Sequence, residues 1–315
     1  MSIPPPGQLV DVGGHRLHVQ CAGEGTPAVV FDAALGASSL SWSLVQPAVA
    51  RVTRACSYDR AGFGWSDAGP MPRTAGRIAG ELHQLLRLGG VPPPYVLVGH
   101  SFGGLVMRLF AARHPGDVAG LVLIEPAIPD DWAAPTGEQR ALIARGVRLC
   151  GYGASAARHG LATVVSALAR AGATGLARLV VSVVSRGGLR REDEGILAPI
   201  WKLPPEARAP LGHMWTQPKF FEALGSQIAT ICESAAEVVR ATPDGPGDVP
   251  LTVISSAHAH EPRLNADSTL ARRSRRGRHV LAPDGGHWVP LDAPQAVIDA
   301  IVAMVSEVRR RPDAG

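Results

Sequence analysis

A serine set between glycines is the strongest candidate for chemistry in this chain. The stretch Gly99–Gly103 reads G-H-S-F-G, follows the apolar run "YVLV" and precedes the amphipathic stretch "GLVMRLFAARHP". Small residues on both sides of Ser101 allow a turn tight enough to expose its hydroxyl. The helix that follows directs amide donors and a partial positive charge toward the same point. This context predicts a nucleophile at Ser101, the alternative being a serine that only caps the helix.

Two histidines in "LTVISSAHAHEP" suggest a different chemistry, that of a metal site. His258 and His260 follow a buried apolar run, and side chains two apart on an extended segment point to the same side. A metal ion would still need further ligands, and no HxxxH pair or acid cluster stands at a known spacing. We therefore disfavour the metallohydrolase and expect neither a metal nor an organic cofactor.

Eight short runs rich in β-branched residues predict the strands that would position these groups. They read LVDV, RLHVQC, AVVFD, RACSYD, YVLVGH, GLVLIE, LTVISS and RHVLAP. The first two suggest an antiparallel hairpin, whereas the later runs are continuous, as in parallel strands buried on both faces. Helical patterns over 74–88, 103–113 and 293–308 alternate with them. We predict an α/β fold with a doubly wound, mostly parallel sheet of about eight strands.

The long interval between the sixth and seventh predicted strands breaks this alternation. It is rich in Ala, Leu, Arg and Val at helical spacing, and no fixed period supports a solenoid. We predict a helical cap over the carboxyl edge of the sheet, where α/β folds bind ligands. The predicted division is a core of 1–128 and 249–315 and a cap of 129–248.

The composition of the chain indicates which classes of partner it can be expected to bind. The net charge is +4, hydrophobic residues make up 46% and charged residues 18%, so a core-rich globule is expected. The densest basic cluster, "RRSRRGR" at 272–278, lacks interleaved aromatics and is predicted to be a solvated helix face. We expect a small-molecule substrate and no nucleic acid, with the protein a monomer or a homodimer.

Cysteine spacing and the N-terminus bear on the compartment. Cys21, Cys56, Cys150 and Cys232 are scattered, so free thiols in a reducing compartment are expected rather than disulfides. The start "MSIPPPGQLV" lacks the features of a signal peptide, and no apolar run reaches the length of a membrane span. These features predict a cytoplasmic protein without a membrane span.

Taken with the serine motif, two further segments resemble the α/β-hydrolase family, in its serine-nucleophile branch with a helical cap. "YDRAGFGWSD" resembles the family's loop after the fourth strand, and "PDGGHWVPLDAP" resembles the segment that carries its catalytic histidine. The resemblance implies that His287 is the base that takes the proton of Ser101. His100, beside the nucleophile, is expected to point away and to have a structural role.

The resemblance also implies an oxyanion hole made of two backbone amides. One is the N–H of Phe102, directly after the nucleophile, and the other is the N–H of Leu35 in the loop after the third strand. The family usually has His-Gly before that position, and this chain has Ala33-Ala34. Gly36 would allow the turn.

The third member of a triad is a carboxylate that orients the histidine. The family most often places it after the seventh strand, where this chain offers only Glu261 nearby and Asp267 later, in the next predicted helix. In the haloalkane dehalogenase branch the acid ends the sixth strand, and Glu125 stands there in "EPAIP". An unpaired carboxylate at that apolar position would be costly, so we favour Glu125 and keep Glu261 as the alternative.

These residues predict a serine hydrolase that cleaves an ester-type bond in a small apolar substrate through an acyl-enzyme. Serine at 101 excludes dehalogenases and epoxide hydrolases whose nucleophile is aspartate. Thioester, lactone or C–C hydrolysis, cyanohydrin cleavage and perhydrolysis remain open, as does a catalytically weak ligand-binding relative. Five tryptophans are candidates to line the pocket: Trp42, Trp132, Trp201, Trp215 and Trp288.

Overall fold

The computed structural model describes residues 4–170, 202–243 and 245–310. All eight predicted strands form: β1 Gln8–Asp11, β2 Arg16–Ala22, β3 Ala28–Asp32, β4 Ala55–Tyr58, β5 Tyr95–His100, β6 Val118–Ile124, β7 Leu251–Ser256 and β8 Gly277–Ala282. They make one sheet in the order β1-β2-β4-β3-β5-β6-β7-β8. Strand β2 is antiparallel to β1 and β4, and the other pairs are parallel. The mostly parallel, doubly wound sheet is confirmed.

Helices connect and cover these strands. In the described residues they are α1 Gln46–Val49, α2 Ala75–Leu88, α3 Phe102–Arg113, α4 Pro129–Ala133, α5 Gly137–Arg158, α6 Leu161–Arg170, α7 Pro205–Met214, α8 Pro218–Ala229, α9 Ile231–Ala241, α10 Glu261–Arg272, α11 Val289–Asp292 and α12 Pro294–Arg309. Two short 3-10 turns lie at Ser39–Trp42 and Pro115–Asp117. The predicted helices at 74–88, 103–113 and 293–308 correspond to α2, α3 and α12.

The core lies on both faces of the sheet. On one face, α2 and α3 bury residues such as Leu82 and Leu105 against the strands, and on the other, α1 and α12 bury Val49 and Ile301. Every residue of β3, β5 and β7 is buried. This two-sided burial explains why the strands are continuous apolar runs, and it holds their carboxyl ends at one rigid edge.

Between β6 and β7 the described residues form the helices α4 to α9, joined by turns and loops. Helix α8 packs along α5, and α9 packs on α4 as well as on α2 and α3. The Ala75 N–H donates to Ser234 Oγ at 2.9 Å, which joins α9 to the first turn of α2. We propose that 129–248 forms a cap and that 1–128 and 249–315 form the core. Residues 171–201, including Trp201, lie outside the described residues.

The prediction of free cysteines is wrong for one pair. Cys21 and Cys56 stand directly opposite each other in the antiparallel pairing of β2 with β4 and form a disulfide. Cys150 and Cys232 are free thiols. The pair is far apart in sequence, and only the strand order β2-β4-β3 makes the two residues neighbours.

The basic cluster is not a helix face. It runs from the last residue of α10 into β8, and acidic side chains pair with three of its arginines: Arg275 with Asp248, and Arg276 and Arg278 with Glu307. This pairing offsets the charge of three of the five arginines in the cluster. Across the described chain, none of the helices combines the length and apolarity needed to span a bilayer.

Candidate active site

Ser101 occupies a sharp turn between β5 and α3. Its backbone has φ 53° and ψ −116°, a conformation that non-glycine residues rarely adopt. Two hydrogen bonds hold the turn: the Ser101 N–H donates to the Ile124 carbonyl at 2.9 Å, and the Ala127 N–H donates to the Ser101 carbonyl at 3.0 Å. The strain is thus held in place by the end of the neighbouring strand β6, as is common at functional sites.

The glycines of the motif are required by close backbone contacts. A Cβ atom on Gly99 would lie 2.6 Å from the Gly103 carbonyl oxygen, and one on Gly103 would lie 2.5 Å from the Asp32 carbonyl oxygen. Both distances are too short for a side chain. The turn therefore forms only with glycine at these positions, and α3 begins directly behind Ser101.

Glu125 follows the last residue of β6 and is held in a left-handed conformation, with φ 43°. Its N–H donates to the Ile254 carbonyl of β7 at 2.8 Å. The side chain is buried, and its Oε1 accepts the Ser256 N–H at 2.7 Å. The end of β7, where the family most often has the acid itself, supplies a backbone donor to the acid from β6.

The second oxygen of this carboxylate faces the histidine singled out from the sequence. Glu125 Oε2 lies 3.3 Å from His287 Nδ1. The imidazole projects from the loop after β8 and its side chain is 51% exposed. The structure thus brings Glu125 and His287 together, and Ser101 lies at the end of the adjacent strand β5.

Glu125 is held in its ionised form. Burial alone would raise the pKa of this carboxyl, but the hydrogen bonds from His287 and from the Ser256 N–H, with the charge of Arg263, lower it. The lowered pKa keeps the carboxylate negative beside Nδ1, which favours the tautomer with the proton on Nδ1. Nε2 is then free to accept a proton.

The alternative acids lie elsewhere. Glu261 is exposed at the start of α10, and among the described residues Glu125 is the carboxylate that pairs with His287. Asp267 lies in α10, as predicted, where it is fully buried and binds Ser255 Oγ at 2.7 Å and Arg263 Nε at 2.8 Å. These partners occupy the Asp267 carboxylate in a structural network.

The two proposed oxyanion donors come from the loop after β3 and from the first residue of α3. Leu35 is in a turn closed by a 3.1 Å hydrogen bond from the Ala37 N–H to the Ala34 carbonyl, and Gly36 takes the positive φ of 73° that this turn needs. Phe102 begins α3. Within the described chain, neither the Leu35 nor the Phe102 N–H donates to another protein group.

A residue that the sequence analysis missed fixes this loop. Arg60 is almost fully buried, and its Nε donates to Asp32 Oδ1 at 2.8 Å. Its two Nη groups donate to the carbonyls of Ala33 and Ala34, and its guanidinium lies 5.0 Å from the centre of the Phe102 ring. One side chain therefore contacts both segments that carry the proposed oxyanion donors. The available signal was an arginine directly before the apolar stretch "AGFG" at 61–64.

Arg60→Leu is expected to lower the free energy of unfolding by about 3–5 kcal/mol, because Asp32 would remain as an uncompensated buried charge. Burial already raises the pKa of Asp32, and Arg60 opposes that rise. Urea denaturation followed by circular dichroism measures the change. The control is Arg275→Leu, whose pair with Asp248 is exposed and should contribute little. An equal loss in both variants would contradict the assigned role.

His100 has the structural position expected of it. It is fully buried, and its Nε2 bonds the His287 carbonyl oxygen at 2.8 Å. Burial, reinforced by His287, lowers the pKa of His100 to about 3. The neutral ring therefore donates from Nε2 and supports the backbone of the residue proposed as the base.

The lowered pKa of His100 predicts a pH-dependent stability. Between pH 3 and 6.5 the unfolded chain binds a proton at this site that the folded protein excludes, so stability is complete above the unfolded pKa and falls as the pH drops through this window. His100 contributes at most about 1.4 kcal/mol per pH unit to the slope of the free energy of unfolding against pH. Denaturation at pH 6, 5 and 4 should show a shallower slope for His100→Gln than for wild type. The exposed control His258→Gln should keep the wild-type slope.

The tryptophans predicted to line the pocket differ in how deeply they are buried. Trp42 is fully buried against Phe31 and belongs to the core rather than to a pocket wall. Trp215 and Trp288 are partly buried around an apolar cluster centred on Leu211 of α7. Trp132, in α4, is also partly buried.

Among the described residues, the histidines of "LTVISSAHAHEP" lie in no group of three possible metal ligands. In the described ranges, the one group of three donors close enough to share an ion is His83, His114 and Asp117. His114 caps the far end of α3 from Ser101. His258 and His260 belong to no such group.

The comparisons with known proteins agree with this architecture. A family model described as the alpha/beta hydrolase fold matches residues 27–148. YqjL of Bacillus subtilis, an uncharacterized protein, is 35% identical over 120 residues, which are 38% of this chain and 47% of YqjL. The matched part of the chain spans less than half the length of each curated relative that we compared.

Solved structures match over nearly the whole chain. The epoxide hydrolase CorEH has a TM-score of 0.69 at 20% identity, covering 96% of this chain and 99% of that one. A thermophilic esterase from Thermogutta terrifontis has a TM-score of 0.65 at 19% identity, covering 93% of this chain and 94% of that one. With the sheet order and the strained serine turn, these likenesses show that this protein has the α/β-hydrolase fold.

Proposed function

We propose that this protein is a serine hydrolase that cleaves carboxylic ester-type bonds through Ser101, His287 and Glu125. The observation that carries the proposal is the pairing of the buried Glu125 carboxylate with His287 Nδ1 at 3.3 Å, at the edge of the sheet where Ser101 holds its strained turn. Nucleophile, acid and base follow the carboxyl ends of β5, β6 and β8 of one sheet. Acyl transfer by serine hydrolases uses a nucleophile, a base and an orienting acid of these types.

In the proposed reaction His287 Nε2 accepts the hydroxyl proton as Ser101 Oγ bonds to the acyl carbon. The Phe102 and Leu35 amides stabilise the negative oxygen of the tetrahedral intermediate. His287 then gives the proton to the departing alcohol, which leaves an acyl-enzyme. Water, deprotonated by His287, attacks that ester, and the acid leaves as Ser101 regains its proton. Glu125 stabilises the imidazolium throughout.

The surroundings favour an apolar substrate. A Cβ on Gly36 would lie 3.3 Å from Leu224 Cδ1, so α8 of the proposed cap covers the oxyanion turn with an aliphatic side chain. Trp288 follows the proposed base and packs with Leu291 and Leu211. Apolar side chains of this kind would bind a hydrocarbon acyl or alcohol group.

A fluorophosphonate probe tests the proposal, because it labels only an activated serine. We expect the wild type to be labelled and Ser101→Ala to remain unlabelled. A series of nitrophenyl esters of increasing acyl length, with a lactone and an epoxide, then identifies the bond and the chain length. We expect turnover of esters and none of the epoxide, which lacks an acyl carbon. Absence of both labelling and ester turnover in the folded wild type would overturn the assignment.

A further inference from the structure

A cleft separate from Ser101 lies on the α3 face of the sheet. Its volume is about 240 Å³, and it is bounded by the second half of α3, the strands β6 and β7, the end of α9 and the end of α10. The walls are mainly aliphatic, from Leu121, Leu123, Val249, Leu251 and Leu270. Three polar side chains interrupt them: Arg108, Thr242 and Arg273. We call this space the Arg108 cleft.

Arg108 is the unusual residue of this cleft. Its side chain lies among the buried residues of α3, 7% exposed. Its Nη2 donates to Thr242 Oγ1 at 3.1 Å, and over the described ranges of the chain no carboxylate oxygen pairs with it within 4.0 Å. Other buried arginines in the same chain have such a partner, as Arg60 has Asp32 and Arg73 has Glu81.

The charges around Arg108 do not compensate it. Burial, with the like charge of Arg273, lowers the pKa of Arg108 to about 10, while Asp130 acts in the opposite direction from beyond pairing distance. The guanidinium therefore stays protonated at neutral pH. A buried cation without a carboxylate partner is costly, and an anion bound beside it would lower that cost.

The cleft also restricts the kind of anion. Aliphatic side chains form most of its wall, so a bare inorganic ion would leave apolar surface facing water. An apolar cavity of about 150 Å³ accepts benzene, so the Arg108 cleft has room for a hydrocarbon group of that size beside an acidic head. A planar carboxylate matches the guanidinium through two parallel hydrogen bonds.

We propose that the Arg108 cleft binds a small monocarboxylate with an apolar group, such as an aromatic or short aliphatic acid. The carboxylate pairs with Arg108, the hydrocarbon packs against Leu121 and Leu251, and Arg273 lies at the rim. Arg108 lies seven positions after Ser101 on the same helix, about 10 Å along its axis, so the ligand here does not occupy the serine site. Binding of the carboxylate in the Arg108 cleft therefore does not depend on Ser101.

Calorimetric titration of the Ser101→Ala protein tests this site without interference from turnover. The ligands are benzoate, hexanoate, acetate and inorganic phosphate at equal ionic strength. We expect benzoate and hexanoate to bind at least tenfold more tightly than acetate or phosphate. Adding Arg108→Met should weaken their binding at least tenfold, whereas adding Arg275→Met, outside the cleft, should leave it unchanged.

A second variant separates binding from folding. Ala111→Leu adds a larger apolar side chain to the cleft from the same helix and keeps Arg108. It should abolish binding even if Arg108→Met proves hard to fold. In the absence of ligand, Arg108→Met is expected to raise the melting temperature, because it removes an unpaired buried charge. The proposal is overturned if the four ligands bind with equal affinity. It is also overturned if hexanoate and benzoate bind as tightly after Arg108→Met or Ala111→Leu as they do to the Ser101→Ala protein without that change.

Discussion

Ser101→Ala is expected to lower kcat for ester hydrolysis by about 10⁶-fold, since removing the nucleophile of such a triad costs about as much as removing the whole triad. Alanine keeps the small side chain at the elbow, so the strained turn held by Ile124 and Ala127 should persist. Substrate binding should therefore survive, and KM should change much less than kcat. Steady-state kinetics with the best ester of the series measures both.

The control for this variant is Ser155→Ala, which removes an exposed hydroxyl in α5. It should have wild-type kcat and KM. Retention of more than one tenth of the wild-type kcat by Ser101→Ala, with its melting temperature unchanged, would show that another group starts the reaction. The proposed function would then be wrong, whereas carboxylate binding in the Arg108 cleft would be unaffected.

Glu125→Gln is expected to lower kcat by about 10⁴-fold, the effect of disturbing the histidine tautomer in such a triad. The geometry gives a specific reason. The Ser256 N–H donates to Glu125 Oε1 at 2.7 Å, so the amide oxygen of a glutamine would turn toward Ser256. Its NH₂ group would then face His287 Nδ1 and donate to it. The imidazole would carry its proton on Nε2, where it cannot accept the proton of Ser101.

The matched control is Glu261→Gln, the same substitution at the exposed acid that follows β7. It should leave kcat within a factor of two of wild type. A large loss in Glu261→Gln with normal turnover in Glu125→Gln would transfer the role of the acid to Glu261. Equal melting temperatures of the two variants would confirm that the comparison reports on chemistry.

Much of the fold could be read from local patterns. All eight strands were predicted from apolar β-branched runs, because a strand buried on both faces must be apolar at every position. The elbow at Ser101 was equally local, since its glycines are demanded by contacts within a few residues and with the adjacent strand β3. The candidate histidine came from the family resemblance of "PDGGHWVPLDAP".

Pairings between distant parts of the chain could not be predicted in the same way. Cys21 meets Cys56 because β2 lies beside β4, and Arg60 reaches the Ala33 and Ala34 carbonyls because β4 lies beside β3. No spacing in the sequence encodes either contact. Each depends on strand order and register, which are set by how the whole sheet buries its two faces.

The sequence alone therefore determined which elements form and proposed Ser101, His287 and Glu125, with Glu261 left as an alternative. Tertiary structure decided which carboxylate stands beside His287. Within the described residues it also decided that Arg60 pairs with a carboxylate and that Arg108 does not. The physical reason is that local conformation depends on residues near in the chain, whereas hydrogen bonding and charge compensation depend on residues near in space. In a parallel sheet those spatial neighbours come from separate strands, and here the three proposed catalytic residues follow β5, β6 and β8.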